Sequence, residues 1–406
     1  MATTGGFNVG ASDLRSPLLN ANEIFATIYN MIISQQVFSD NIKGTYGDLA
    51  SKFKVDGTLY GDTKLFYATD ALSSQAWTNY SEASNLLATK KPDDPKCQYV
   101  QIDQFRMIWL TLDNYLSKRA WSTEGAFSQF HAVMTGWMGE TKRVYESRLI
   151  NTFVGTTISG ATKGTINVDL TTAKGSASTE EESRRLQAQE IAKDIADLLV
   201  DLKDTTRDYN EYNFLRSYDE GDFYYVFNSK YYNMITKLDL PTIFHKDGLV
   251  DKLNDNVLPA KYFGTVITST NASTYSDSTP TTGKPIDSDD GAYTPGSNNA
   301  NGCIRSLVEK DFKISTTDYH VFPGDELPAG ATIGNSKNFA YGEVYIESDD
   351  VICKIIHKSA VPFMSAFETE TSFFNPRSLT ENKYLIWGYS NPCTLKNYPF
   401  LTVKAV

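Results

Sequence analysis

WSTEGAFSQFHAVMTGWMGETKRVYESRLINTFVG, residues 121–155, reads as one long helix. Ser122 and Thr123 can cap its start, Glu124 sets a negative charge at the positive end of the helix, and Gly155 can stop it. Apolar residues recur at intervals of three and four (Phe127, Phe130, Met134, Trp137 and Met138, Val144 and Tyr145, Leu149, Phe153), which makes one stripe to bury. The other side carries Glu140, Lys142, Arg143, Glu146 and Arg148, and Lys142 and Glu146 are spaced to pair across one turn. That side is expected to meet water or another subunit. Gly136 and Gly139 each cost roughly 1 kcal/mol relative to Ala inside a helix, which points to a bend or a close neighbouring backbone. Such a spine carries no chemistry.

Toward the N-terminus, residues 1–19 are small and polar, and Asn20 with Glu23 forms a capping signature. Residues 22–38 then place Ile24, Phe25, Ile28 and Ile32 on one face of a predicted helix. Glycines at 44, 47, 57 and 61 break the pattern before LFYATDAL and SQAWTNY, which read as strands. ATKKPDDPK, residues 88–96, holds two prolines and the charges Lys90, Lys91, Asp93, Asp94 and Lys96, so it is an exposed turn. QYVQID returns as a strand, while FRMIWLTLDNYL fits strand or helix. Residues 56–120 therefore read as a long two-stranded loop. A lone hairpin is marginal in water, so a neighbouring chain is expected to cover it.

Toward the C-terminus, TTISGATKGTINVDLTTAKGSAST reads as turns and short strands. Thr179 and Glu182 form a capping box for a helix over 179–206 whose apolar face is Leu186, Ile191, Ile195, Leu198, Leu199 and Leu202. FYYVFNSKYYNMI predicts a central strand running into a short helix, within an α/β body over 223–267. Residues 268–302 contain almost nothing apolar and read as a surface loop or mobile insertion. HVFPGDELPAGA suggests a β-turn segment, and GEVYIE, DVICKIIHK, AFETETSFF, NKYLIWGYS and CTLKNYPFLTVKAV read as strands.

Composition narrows the function. The 406 residues are 41% hydrophobic, enough for one large core or two. A net charge of −11 with scattered Lys and Arg shows no basic track for nucleic acid. No apolar run is long enough to cross a bilayer and no signal peptide is visible, so the chain is expected to fold in a cytoplasm. Cys97, Cys303, Cys353 and Cys393 fit no metal spacing and are expected to be buried free thiols. The four histidines, His131, His245, His320 and His357, stand alone and suit a core or interface better than a metal site. DSDDGAYTPGSN misses a calcium loop, with glycine at the third ligand position and no Glu at the twelfth. Phosphate-binding loops, HExxH, CxxC, GxSxG and GxGxxG motifs are lacking. No enzyme activity and no cofactor are expected.

The order of parts, and AFETETSFFNPRSLTENKYLIWGYS with Asn375, Pro376 and Arg377 between a β run and an aromatic strand, resemble the major capsid protein of tailed bacteriophages. The likeness is greatest to that of small short-tailed, phi29-like phages with protein-primed replication. The resemblance implies an α+β fold of the type named for phage Hong Kong 97. Residues 1–55 would be the N-terminal arm, 56–120 the E-loop with adjoining strands, and 121–155 the spine helix of the peripheral domain. Residues 156–350 would be the axial domain with its insertion at 268–302, and 351–406 the return strands. It also implies a shell of hexamers and pentamers, icosahedral or elongated, assembled in the host bacterial cytoplasm. Partners would be the chain itself, a scaffolding protein, a portal and packaged double-stranded DNA held without sequence preference on the inner face, with no membrane. Lys90, Lys91, Lys96 and Arg377 are candidates for charge-assisted contacts between subunits. A tail or fibre component that binds a host surface is the alternative, and a polysaccharide hydrolase is weaker still.

Overall fold

The computed structural model describes residues 48–55, 63–74, 91–113, 124–175, 177–237, 256–277, 286–287, 291–295 and 302–406. In chain order the strands are β1 (Lys54–Val55), β2 (Thr63–Ala68), β3 (Lys96–Asp113), β4 (Thr165–Val168), β5 (Phe223–Asn228), β6 (Val257–Leu258), β7 (Gly264–Val266), β8 (Ser276–Asp277), β9 (Ile286–Asp287), β10 (Ala292–Tyr293), β11 (Ile304–Ser306), β12 (Lys310–Ile314), β13 (Thr317–Val321), β14 (Val344–Glu347), β15 (Val351–His357), β16 (Phe363–Asn375), β17 (Thr380–Ser390) and β18 (Phe400–Ala405). The main helices span Glu124–Thr156, Glu180–Lys203 and Ser229–Lys237. The fold is mixed α+β. Two compact units divide it. The smaller draws on Phe105–Arg143 and Glu368–Trp387, the larger on Gly44–Gln104, Val144–Phe367 and Gly388–Val406.

The core of the larger unit is a five-stranded sheet in the order β4-β18-β15-β5-β6. β15 is antiparallel to β18 and β5, and the edge strands β4 and β6 run parallel to their neighbours. The middle place belongs to β15, because VICKII is a near-continuous apolar run that can be buried on both faces. β5, expected in the centre, stands one strand away. The capped helix Glu180–Lys203 lays Ala188, Ile191, Ile195, Leu198, Leu199 and Leu202 into the same core as Phe223, Tyr225 and Phe227. Each such Ile, Leu or Phe side chain contributes about 1.5–3 kcal/mol on burial. At its start Thr179 Oγ1 accepts from the Glu182 N–H (3.2 Å), and the Glu182 carboxylate accepts from the Ser178 N–H (2.9 Å). Extended backbone at Asp204 ends it short of residue 206.

A second core in this unit gathers β7, β11 and β14 with the β12–β13 hairpin. Residues 268–302 do not read out here as a bare surface loop. A short helix, Ala272–Tyr275, and β8 to β10 fall within them, and Ile286 and Tyr293 are buried beside Ile304, Phe339 and Ile346. Ile286 and Tyr293, which the composition hides, tie the described parts of this stretch to the core.

FRMIWLTLDNYL resolves as strand through Asp113, continuing β3 to 18 residues. β3 is not one arm of a lone hairpin, since the sheet order β1-β16-β17-β3-β2 gives it β2 on one side and β17 on the other. Residues 1–47 of the arm, with the helix expected over 22–38, most of the strand SQAWTNY, Lys90 and His245 lie outside the described residues, while the arm's last residues carry a short helix, Leu49–Lys52, and β1.

The long helix is present, with two corrections to its faces and one to its end. Trp137, expected in the buried stripe, is 49% exposed, while Lys142, expected to be wet, is buried. Nothing lies within 4 Å of a side-chain carbon built at Gly136 or Gly139, so these glycines serve no close neighbour among the described residues. Gly155 does not stop the helix, which runs on to Thr156. A Cβ on Gly155 would lie 2.0 Å from the Tyr262 carbonyl oxygen, so the helix's last turn is pressed against that backbone. The capping residues Ser122 and Thr123 are not described.

Candidate assembly surface

Strand period decides which side chains face out. Along β3, Val100, Ile102 and Leu112 are buried, whereas Tyr99, Phe105, Met107 and Trp109 on the alternate positions are exposed, Trp109 by 68%. β2 is paired antiparallel with Leu65 opposite Tyr99 and Tyr67 opposite Cys97, and Leu65 and Tyr67 are exposed with them. The other face closes over Val100, Ile102 and Met364, with Val55, Phe66 and Ala366 against them. In the larger unit, then, β2 and β3 are apolar on two faces and covered on one. The smaller unit repeats the pattern with exposed Phe105, Met107 and Trp109 on β3, and with Phe373 and Phe374 at the end of β16. These exposed apolar side chains make β2 and β3 in the larger unit, and β3 in the smaller, the candidate contact surface.

The β16–β17 turn, Pro376 to Leu379, is fixed by local bonds. The Arg377 N–H donates to Asn375 Oδ1 (3.1 Å), the Ser378 and Thr380 hydroxyls are 2.7 Å apart, and Leu379 takes φ 56°. Arg377 points to solvent from this turn, while Lys91 and Lys96 are exposed on the approach to and start of β3, where Lys96 is opposite Ala68. The candidate cations therefore stand on two different hairpins. What the sequence reading missed is the apolar face itself. Its signal was the alternation in QYVQIDQFRMIWLTLD, where every second residue from Tyr99 faces out.

Two sets of polar contacts hold these strands in place. At the end of β2 the Asp70 carboxylate accepts from Arg207 Nη1 (2.5 Å), the Leu215 N–H (2.9 Å) and the Ala71 N–H (2.8 Å). The Arg207 hydrogen bond, followed by the Leu215 N–H, brings its pKa down to about 2. Arg216 adds a bond to the Thr69 carbonyl (2.5 Å). The long helix is tied in each unit separately. Lys142 meets Glu368 at 2.5 Å and Lys383 donates to Thr135 Oγ1 at 3.0 Å in the smaller. In the larger, Arg148 meets Asp325 at 2.7 Å, Ser365 bonds to Glu146, and the Tyr145 and Tyr389 hydroxyls share a bond.

The end of the helix meets the central sheet at Lys354. This side chain is wholly buried in β15, and its ammonium donates to the Thr157 carbonyl (2.7 Å) and to Thr402 Oγ1 (2.9 Å). Burial, and then Lys404, push it down to about 7. The carbonyl it reaches is just past the helix, whose negative end favours a cation there.

Of the thiols, all free, Cys353 is buried, Cys303 and Cys393 are half-buried, and Cys97 is exposed, contrary to expectation. His357 stacks on Tyr398 at 4.4 Å, with burial lowering its basicity, and His320 bonds to Asp311 at 2.6 Å on the paired strand. Among the described residues no three His, Cys, Asp or Glu side chains are grouped to hold a metal ion, and no helix is long and apolar enough to cross a membrane.

Comparison with known proteins agrees with this architecture. A chain in the capsid structure of Staphylococcus phage Andhra superposes with a TM-score of 0.58 at 11% identity, over 92% of this chain and 87% of its own. A chain in the structure of head fiber and inner core protein gp22 of native bacteriophage P68 superposes at 0.55 and 11% identity, over 91% and 87%. Such likenesses show a shared fold. No curated protein matches the chain. The model of the Phi29-like phage major capsid protein family matches residues 12–393. With nearly its whole length matched, the chain belongs to the Phi29-like phage major capsid protein family.

Proposed function

We propose that this shell protein is built on the Hong Kong 97 plan, with residues 1–55 as the arm, 56–120 as the E-loop and 121–155 as the spine helix of the peripheral domain. Residues 156–350 form the axial domain in this reading, with the insertion 268–302, and 351–406 supply the return strands. The protein is a structural component of the phage shell that encloses the genome, and its family and structural neighbours are capsid proteins. Assembly as hexamers and pentamers in the host cytoplasm, with a scaffolding protein and a portal, and with DNA held non-specifically on the inner face, completes the proposal.

The observation that carries it is the exposed apolar face of β2 and β3. A chain that meets several copies of itself in slightly different settings needs projecting apolar surface that adds buried area without a rigid lock. Leu65, Tyr67 and Tyr99 supply it in the larger unit, and Met107 and Trp109 in the smaller. Lys90, Lys91, Lys96 and Arg377 steer the contact by charge, and reversing Lys90 and Lys91 to Glu should then reduce the yield of normal shells. Sedimentation and negative-stain microscopy of the purified chain, alone and with a co-expressed scaffolding protein, test the whole reading. Closed shells or rings of five and six support it. Stable monomers or trimers under all conditions overturn it.

A further inference from the structure

In the larger unit three cations converge where the long helix, the turn Ala260–Tyr262 and strands β11 and β14 meet. Arg148 on the helix is answered by Asp325 at 2.7 Å, and Arg305 on β11 by Glu347 at 3.1 Å. Lys261 is the third. It forms no ion pair among the described residues; its ammonium lies 5.1 Å over the ring of Tyr262. Its backbone is pinned, because the buried Tyr345 hydroxyl donates to the Lys261 carbonyl at 2.6 Å. The surroundings are equally fixed. Arg305 is paired across strands with Tyr345 and also donates to the Gly324 carbonyl (3.2 Å). Gly324, at φ +84°, lies so close that a Cβ there would be 2.8 Å from the Tyr262 ring. Three positive charges therefore share two carboxylates, in a half-buried setting and on a chain whose net charge is −11.

We infer that Lys261, with Arg148 and Arg305 behind it, forms a docking site for one carboxylate side chain of a second copy of this chain in the assembled shell. A lone half-buried cation beside two others is held at an electrostatic cost that an incoming anion removes. In the isolated subunit burial, and then Arg148 and Arg305, hold the Lys261 ammonium below the ordinary lysine range. The abundant anion around an assembling subunit is the side-chain carboxylate, since each copy carries 49 acidic residues against 38 basic ones. Shape favours the same occupant. The site is a single fixed point framed by backbone, whereas nucleic-acid backbones are tracked by cations spread along a surface.

The inference rests on the shell reading but is tested apart from it, on shells of the unmodified protein. Acetylation of amines, read residue by residue by mass spectrometry, compares dissociated subunits, empty shells and DNA-filled shells; carbodiimide then joins lysines to touching carboxylates. Expected are at least tenfold protection of Lys261 in empty and filled shells alike, and an intermolecular Lys261 link to an Asp or Glu. Lys261→Met should lower shell yield severalfold at moderate salt while its subunits melt normally, and Lys261→Arg should restore the yield. Equal reactivity in subunits and shells overturns the inference, as does linkage only to the chain's own Asp325 or Glu347. Protection confined to DNA-filled shells also overturns it, because phosphate is then the anion. Each of those results leaves shell formation standing.

Discussion

The two five-stranded sheets of this molecule use similar side chains to opposite ends. At the centre of β4-β18-β15-β5-β6 both faces are filled from within the chain, and even the lysine there finds two oxygen acceptors. In the larger unit's part of β1-β16-β17-β3-β2 one face of β2 and β3 is closed over Val100, Ile102 and Met364, and the other leaves Leu65, Tyr67 and Tyr99 in solvent. Burying apolar area is the main favourable term in folding and association alike. A chain that completes one sheet and leaves the other open has a stable subunit and a reserve of association energy. That division suits a shell protein.

The sharpest way to break the contrast is to damage the completed sheet. Ile355→Ala removes a fully buried side chain from β15 and should cost about 2–5 kcal/mol, read as loss of the folded subunit in urea titration. If the loss were under about 0.5 kcal/mol, β15 would not be the packed centre described.

Lys354 sharpens the comparison through pH. Its proton is bound less tightly in the fold, at about 7, than at the ordinary 10.5 of an unfolded lysine. Between those values the unfolded chain binds more protons, so subunit stability should rise with pH across that window, by up to roughly 4 kcal/mol. Lys354→Met should flatten the rise, as measured by denaturation at pH 7, 8.5 and 10. The base of the open sheet responds more weakly and at the other end of the scale. Asp70 is acidified to about 2, so its contribution is present above the ordinary 3.8 and lost as pH falls toward 2. Asp70→Asn should cost about 1–2 kcal/mol at pH 7 and remove that acid dependence.

The smallest effect on the subunit belongs to the open face. Trp109→Ser should change subunit stability by no more than about 0.5 kcal/mol, as exposed substitutions do, yet depress shell yield. A normal yield would place the contact elsewhere.

How far the sequence could be read follows from this division. The capped helix was legible almost to the residue, because Thr179 and Glu182 act locally and its apolar face meets one neighbour. The long helix was legible as a helix but not by its faces. A periodicity argument assumes one partner along the whole length, and a helix of 33 residues meets different surroundings on the way, so Lys142 is buried and Trp137 exposed. The described parts of the insertion differ from the reading because composition averages over Ile286 and Tyr293, two side chains that are buried. On the candidate surface the lysines and Arg377 drew attention as charges, while the aromatic residues of β3 read as ordinary strand formers. Propensity makes no distinction between a residue buried in its own fold and one buried in a neighbour's.

The most direct test of the central claim is hydroxyl-radical footprinting of Tyr67, Tyr99, Met107 and Trp109 in dissociated subunits and in assembled shells. If the open face of β2 and β3 is what the shell buries, these side chains should be oxidised readily in the subunit and be protected severalfold on assembly. Equal oxidation in the two states would contradict it.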